Sequence, residues 1–364
     1  MEEVRLIKPY IDFEAVAKDF QQVFDSGVFT RGPNVSAFSA ELASYVGAKY
    51  AFLTTSATTA LWVSLKALGV GKGDEVAVSD FSFPATANVV EDLGAKPLFV
   101  DVDPLSFNMC GNDLLEKITP KTKAVIFVDS FGNPTDLDII KTICDNHSIP
   151  LIEDAACALG SSLKNLRCGN ISKMTCFSFH PRKLICTGEG GAITTNDDAL
   201  AKWLDIKLLH GASKSQEGTL EFSDYGFNFR LSELQAVMGR KQLMSLDEII
   251  KGRNTTRDIY KKILSPYGFQ AQSIASSAYH NSQSIVFKVP DHIDRDGLIA
   301  RLKKQSIETT IGTYCQSNLP YFRNKYRAIQ PNAKHLQETT ITLPCYETVP
   351  IDRICEEILS LTRS

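Results

Sequence analysis

Between positions 45 and 200, apolar residues are grouped in short continuous segments, and stretches with a helical pattern separate these segments. Continuous apolar runs are typical of strands that are covered on both faces. We therefore predict seven strands: Tyr50 to Thr54, Glu75 to Val78, Pro97 to Val102, Ala124 to Val128, Leu151 to Glu153, Thr175 to Phe179 and Ala192 to Thr195.

The segments between these strands have the spacing of amphipathic helices. Leu61, Leu65 and Leu68 would share one face of a helix that begins near Thr58,. Strands that alternate with helices predict an α/β protein, with a mostly parallel central sheet and helices on both faces. In such sheets ligands bind at the carboxyl ends of the strands, which is where chemistry is expected.

The second half of the chain has a different pattern. Residues 212–224 are polar without a clear period, which predicts an exposed loop,. A long helical stretch follows from Ser232 to about Tyr260, and we expect a second domain to start within it. The predicted domains are a large one at residues 1–245 and a smaller α+β one at residues 246–364.

Three further elements are predicted in the smaller domain. Ser284 to Val289 has the composition of a strand, while Asp294 to Gln305 and Asp352 to Leu361 have the spacing of amphipathic helices,.

Charge and cysteine content exclude several classes of partner. The 39 basic and 42 acidic residues nearly cancel, which gives no reason to expect nucleic acid or an anionic membrane as partner,. The nine cysteines are odd in number and form no CxxC pair, so neither a disulfide framework nor a metal site is predicted,. The amino-terminal residues lack a secretory apolar core, so we expect a cytoplasmic protein,.

Three residues near predicted strand ends suit the chemistry of pyridoxal phosphate (PLP). Asp154 ends an apolar segment, and Ser178 and Lys183 lie together just before the glycine-rich run 188–191. The Lys183 amine would form a Schiff base with the cofactor aldehyde. Asp154 would keep the pyridine nitrogen protonated, so that the ring can accept electrons, and Ser178 could bind the phosphate.

Each of these residues also has a purely structural interpretation. Lysines are usually solvated surface charges. Asp154 could cap a helix, and Ser178 could be a polar residue at a strand end. Phe83 could be an ordinary core aromatic, and His180 a hydrogen-bonded histidine at a strand end.

Seven motifs in order give the chain a family resemblance. It resembles the DegT/DnrJ/EryC1/StrS family of PLP-dependent sugar aminotransferases, which have an aspartate aminotransferase-like fold. The motifs are Thr30-Arg31-Gly32-Pro33, Thr58-Thr59-Ala60-Leu61, Phe83-Pro84-Ala85-Thr86-Ala87-Asn88, Glu153-Asp154-Ala155-Ala156, Ser178-Phe179-His180 with Lys183, Gly188-Glu189-Gly190-Gly191 and Gly226-Phe227-Asn228-Phe229-Arg230.

The resemblance implies roles for individual residues. Lys183 matches the Schiff-base lysine, and Asp154 matches the partner of the pyridine nitrogen. Ser178 and Thr58 match phosphate contacts, with the backbone amide of Ala57 or Thr58 contributing where a helix begins,.

Two further matches concern the ring and the neighbouring subunit. Phe83 matches the aromatic residue that stacks on the cofactor. Asn228 matches a residue that reaches the phosphate of the neighbouring subunit's cofactor, so the resemblance implies a homodimer with shared active sites.

The chain departs from the family at two positions. Ala57 stands where relatives usually have glycine. Unlike glycine, alanine adopts a positive φ only at an energetic cost, so a strained turn is not expected here. Cys157 stands where many relatives have Gln or His near the cofactor 3-hydroxyl. A thiol is a weak donor, so that contact would be weaker here,.

The resemblance implies a reaction that transfers an amino group, with glutamate as donor, to a keto-sugar linked to a nucleotide. Candidate substrate residues are Arg31, His180, Arg182, Arg230 and Tyr314. The two arginines Arg31 and Arg230 could equally form ion pairs between subunits. Two alternatives stay open: a sugar dehydratase-like enzyme and a non-catalytic regulatory protein. Family dehydratases carry histidine at the position of Lys183, which disfavours the first.

Overall fold

The fold is built around a seven-stranded and a four-stranded sheet, with helices packed against both and three smaller sheets of two or three strands among the described residues. The structure, a computed structural model, describes residues 2–214 and 219–362. Its helices are α1 Phe13–Ser26, α2 Pro33–Val46, α3 Ala57–Ala67, α4 Ala85–Asp92, α5 Gly111–Lys117, α6 Leu137–Asn146, α7 Asp198–Lys207, α8 Glu233–Met244, α9 Leu246–Leu264, α10 Arg295–Lys304, α11 Pro320–Tyr326, α12 Pro331–Thr339 and α13 Ile351–Thr362.

The strands are short, as is usual in a covered sheet. They are β1 Tyr50–Thr54, β2 Glu75–Ser79, β3 Phe81–Ser82, β4 Lys96–Val100, β5 Thr122–Val128, β6 Leu151–Asp154, β7 Ser162–Leu163, β8 Leu166–Arg167, β9 Met174–Ser178, β10 Gly191–Thr195, β11 Ala212–Lys214, β12 Leu220–Phe222, β13 Gln270–Ala271, β14 Ala278–Tyr279, β15 Ile285–Lys288, β16 Thr310–Ile311, β17 Tyr314–Cys315 and β18 Thr340–Leu343.

The large sheet has the strand order β1-β10-β9-β6-β5-β2-β4. Only β10 runs antiparallel to its neighbours, so the predicted α/β class with a mostly parallel sheet is confirmed. The seven strands of this sheet are the seven predicted from the apolar runs, with bounds that agree within two residues. Every residue of β2 is buried, as expected for a strand covered on both faces,.

The smaller sheet is antiparallel and has the order β13-β15-β18-β16. It packs against α9, α10 and α13 around a separate apolar cluster that contains Tyr260, Phe287 and Leu298. The predicted strand at 284–289 and the two predicted helices appear as β15, α10 and α13. The division into domains at residue 245 coincides with the break between α8 and α9, and it stays a prediction.

Two sequence-based expectations differ from the structure. The helical stretch after Ser232 is two helices, because the chain turns at Ser245 between α8 and α9. The loop predicted at 212–224 contains the hairpin of β11 and β12, and residues 215–218 lie outside the described part. The sequence pattern does not reveal this hairpin, because its strands have only three residues each and β12 is exposed throughout. Neither face of β12 is buried, so its residues need not alternate between apolar and polar,.

The first turn of α3 sits at the carboxyl edge of the large sheet. The side chain of Ser56 caps this helix by accepting a hydrogen bond from the Thr59 N–H at 3.1 Å,. Ala57 is the first residue of the helix and has an ordinary negative φ, so it causes no strain where relatives have glycine,. Among the described residues, no helix is both long enough and apolar enough to cross a membrane.

Candidate active site

A cavity of about 550 Å³ opens at the carboxyl edge of the large sheet. Asp154 ends β6, Ser178 ends β9, and Thr58 lies in the first turn of α3 after β1; all three line this cavity. Residues 310–314, which begin with strand β16 of the smaller sheet, also line the cavity. The parallel strand ends therefore bring together residues that are far apart in the chain.

Lys183 lies in a short turn after β9 with its amine in this cavity. Its backbone N–H donates to the carbonyl of His180 at 2.8 Å, which closes the turn. Its Nζ donates to the Sγ of Cys157 at 3.0 Å. The thiol that replaces the family's Gln or His is thus the direct partner of the lysine amine in this structure.

Asp154 is buried on the cavity floor, with 5% of its surface exposed. Burial raises the pKa of its carboxyl above the usual value, and this effect outweighs three opposing ones,. Thr86 Oγ1 donates to its Oδ2 at 2.8 Å, the Ala156 N–H donates to its Oδ1 at 3.3 Å, and the charge of Lys183 is nearby. Thr86 is a functional neighbour that the sequence analysis missed, although it lies inside the Phe83–Asn88 motif.

One end of the cavity has the chemistry of an anion site. The amino terminus of α3 presents Ala57 and Thr58, and the hydroxyl of Ser178 lies on the same wall,. Gly191 permits this arrangement, because a Cβ there would lie 2.5 Å from the carbonyl carbon of Ser56,. Gly191, the last glycine of the Gly-Glu-Gly-Gly motif, is therefore needed because the backbone of Ser56 approaches it so closely.

Two aromatic rings stand at the cavity wall. Phe83 is 65% exposed, which is unusual for phenylalanine, and it follows the short strand β3,. Tyr314 packs edge-to-face against it with ring centroids 6.4 Å apart. The antiparallel pairing of β17 with β3 brings the two rings together.

Two arginines of the cavity differ in whether their guanidinium groups already have hydrogen-bond partners. Arg253 is buried and donates to the carbonyls of Ser282, Gln283 and Cys345. Arg182 is exposed, and its guanidinium forms no hydrogen bond or ion pair with any described residue. Arg182 is thus available to an anionic ligand.

Burial also affects the histidine of the cavity. It lowers the pKa of His180, whose imidazole is therefore neutral near neutral pH,. The ring nitrogen Nδ1 accepts the backbone N–H of Arg182 at 3.2 Å, so this histidine helps to shape the turn before Lys183.

Three predicted site residues lie outside the cavity of their own chain. Asn228 is exposed, and its backbone pairs with Leu209 in an isolated bridge. Arg31 lies in a left-handed backbone conformation with φ of 58°. The Nε of Arg230 is buried without a hydrogen-bond partner among the described residues. None of the three lines the cavity that holds Lys183.

Comparison with known proteins identifies relatives over nearly the whole chain. The model of the DegT/DnrJ/EryC1/StrS aminotransferase family matches residues 11–359. The spore coat polysaccharide biosynthesis protein SpsC of Bacillus subtilis is 33% identical over 96% of this chain and 94% of its own. The UDP-2-acetamido-2-deoxy-3-oxo-D-glucuronate aminotransferase of Pseudomonas aeruginosa is 38% identical over 80% of this chain and 79% of its own.

The solved structures agree with this assignment. The PLP form of Spr1654 from Streptococcus pneumoniae has a TM-score of 0.93 and is 25% identical, and the match covers 100% of this chain and 99% of that one. The predicted PLP-dependent transferase fold is thereby confirmed. The chain belongs to the DegT/DnrJ/EryC1/StrS aminotransferase family.

Proposed function

We propose that this protein is a PLP-dependent aminotransferase that transfers the amino group of glutamate to a keto-sugar linked to a nucleotide, with Lys183 and Asp154 as its central residues. The observation that carries this proposal is their placement in one cavity beside the amino terminus of α3. The relatives from Bacillus and Pseudomonas, whose names concern polysaccharide biosynthesis and a keto-sugar nucleotide, support the substrate class.

The residues of the cavity fit the aldehyde, the phosphate, the ring nitrogen and the ring face of PLP. When bound, PLP supplies an aldehyde that condenses with amines and a ring that accepts electrons from a carbanion. The amino terminus of α3 with Ser178 would hold the phosphate, and Asp154 would hold the ring nitrogen,. The exposed face of Phe83 would lie against the ring.

The protein's own groups account for proton transfer. The amine of Lys183 is the one lysine amine on the cavity wall among the described residues, so it would take up and return the proton at the substrate carbon,. The Cys157 thiol holds that amine 3.0 Å away without adding a charge. The buried carboxyl of Asp154 favours a cationic partner, since a positive charge beside it restores the ionised form,.

A shared site would explain the residues that lie outside the cavity. Asn228 is exposed and does not line the cavity of its own chain, so we propose that it reaches the cofactor phosphate of a second subunit in a homodimer. Arg31 and Arg230 would act at the same interface. The proposal makes each active site dependent on two chains.

The test begins with the cofactor bond. Borohydride reduction of the PLP-loaded protein, followed by peptide mass spectrometry, is expected to locate the cofactor on Lys183. Glutamate should then transfer its amino group to the bound cofactor and change the absorbance. One member of a panel of keto-sugar nucleotides should accept that amino group and restore the absorbance of the PLP form. Reduction at another lysine, or the absence of any spectral change with amino donors, would overturn the proposal.

A further inference from the structure

The side chain of Gln283 bonds to the backbone on both sides of Lys183. Its Oε1 accepts the N–H of Leu184 at 2.9 Å, and its Nε2 donates to the carbonyl of Arg182 at 2.6 Å. Gln283 is buried, with 4% of its surface exposed, so water does not compete for these bonds,. One glutamine therefore holds the two peptide groups that flank the lysine.

Gln283 is itself fixed from the other side. Its N–H donates to Asn281 Oδ1 at 2.9 Å, and its carbonyl accepts from Arg253 at 2.7 Å. Arg253 also donates to the carbonyls of Ser282 at 2.8 Å and Cys345 at 2.7 Å. Through these bonds the segment that leads into β15, a strand of the smaller sheet, determines where Gln283 stands.

The geometry of the lysine makes this support important. A lysine side chain rotates about several bonds, so its amine can be aimed only if the backbone beneath it is fixed. The Lys183 turn extends over residues 180–183 and has a single backbone bond of its own, from the Lys183 N–H to the His180 carbonyl. The His180 ring adds a bond from the Arg182 N–H within the same turn. The bonds from Gln283 add a constraint from outside the turn.

We propose that Gln283 is a positioning residue that aims the amine of Lys183 into the active site and ties its position to the smaller sheet. This inference rests on the proposed role of Lys183 in holding the cofactor. Gln283 also lines the cavity, but the inference assigns it no contact with the reacting atoms, because its amide oxygen and nitrogen both bond the backbone beside Lys183.

The chain contains a matched control on the same loop. Gln242 is 2% exposed and bonds the backbone of Cys186 in the same way. Its Oε1 accepts the Cys186 N–H at 2.9 Å, and its Nε2 donates to the Cys186 carbonyl at 2.7 Å. Its Nε2 also donates to the Met238 carbonyl at 2.8 Å. Replacing Gln283 with methionine therefore removes two side-chain bonds and replacing Gln242 with methionine removes three, at similar volume, but only Gln283 bonds the peptide groups that flank the lysine.

The first measurement needs no cofactor. Hydrogen exchange of the Leu184 amide is expected to be about tenfold faster in Q283M than in the wild type, since leaving this buried N–H without its partner costs about 1.4 kcal/mol. In Q242M the Leu184 amide should exchange within about threefold of the wild-type rate, while the Cys186 amide exchanges faster.

The second measurement follows the binding of added PLP to the unloaded protein. Q283M should form the borohydride-reducible bond at Lys183 about tenfold more slowly than the wild type and have a lower kcat, with the KM for glutamate changed less than threefold. Q242M should form it within about threefold of the wild-type rate. Q283N keeps the amide but is too short to make both bonds. Its rate of bond formation at Lys183 should lie between those of Q283M and Q242M, and it provides the comparison if Q283M folds poorly.

The outcomes separate this inference from the proposed function. Equal effects of Q283M and Q242M on bond formation at Lys183 would show a purely structural role and overturn the inference. A wild-type protein that forms no bond at Lys183 would instead overturn the proposed function. A changed pH dependence of the bound cofactor's absorbance in Q283M alone would support the positioning role, because a loss of stability by itself does not change that pH dependence.

Discussion

At the scale of single residues, Lys183 and Asp154 each have one uncharged side-chain partner. The amine donates to the Cys157 thiol, and the carboxylate accepts from the Thr86 hydroxyl. These two hydrogen bonds hold the amine and the carboxyl in place at the cavity. Removing either partner should therefore change cofactor binding more than it changes stability.

Replacing Thr86 with valine tests this view. The change removes the bond to Asp154, so the buried carboxyl loses an interaction that favours its ionised form and its pKa should rise further,. We expect PLP to bind about five- to tenfold more weakly, as measured by equilibrium titration of absorbance. The control is T194V, which removes the equally buried bond from Thr194 to the Gly169 carbonyl. Equal weakening in both variants would contradict the prediction.

Arg182 is a second single residue whose role can be tested. It lines the cavity, and its guanidinium has no hydrogen bond or ion pair with any described residue. Both proposed substrates are anionic, and an arginine binds carboxylate or phosphate through two hydrogen bonds. R182A should raise the KM of one of the two substrates by about tenfold, with kcat reduced less than threefold. Separate titration of glutamate and of the sugar nucleotide would show which of them it binds. R323A, on the exposed face of α11, should leave both constants unchanged.

At the scale of elements, a buried carboxylate joins the large sheet to the segment that carries Tyr314. Asp80 follows β2 and accepts from the Ser317 N–H and Oγ, both at 2.6 Å, and from the Cys315 Sγ at 3.1 Å. The strand β17, which contains Tyr314, is thereby held beside β3. One wall of the cavity depends on this link.

Asp80 makes stability depend on pH. Burial raises its pKa from 3.8 to about 6, so the folded state binds a proton that the unfolded state has lost between those values. The free energy of unfolding should therefore fall as pH rises from about 4 to 6, by up to about 3 kcal/mol from this group. Urea unfolding across this range should show a flatter dependence in D80N. An unchanged slope in that variant would assign the effect to other carboxyls.

At the scale of the whole molecule, the proposal requires two chains per active site. Lys183 and the cavity belong to one subunit, whereas Asn228 is exposed outside that cavity. The family match covers almost the entire chain, from residue 11 to residue 359, so both parts of the proposed site lie within it.

Hybrid dimers test the shared site. K183A and N228A should each have little activity alone. A mixture of the two that is unfolded and refolded together should recover about a quarter of wild-type activity, since half of the dimers would carry one intact site. Activity that stays at the level of the separate variants would show that Lys183 and Asn228 act within one chain.

Local pattern was enough to predict much of the molecule. The apolar runs identified all seven strands of the large sheet, because a strand covered on both faces must be apolar along its own length,. Asp154, Ser178 and Lys183 were predicted to share a site because they lie near the ends of predicted parallel strands, and all three line one cavity,.

The sequence by itself therefore determined the sheet, the fold class and the residues at the ends of its parallel strands, since these depend on periodicity and near neighbours. Only the tertiary structure decided that Thr86 supports Asp154, 68 residues away, and that Gln283 supports the Lys183 turn from 99 residues beyond Leu184. Polar residues such as these leave no periodic signal, because their hydrogen-bond partners are chosen by the packing of distant elements.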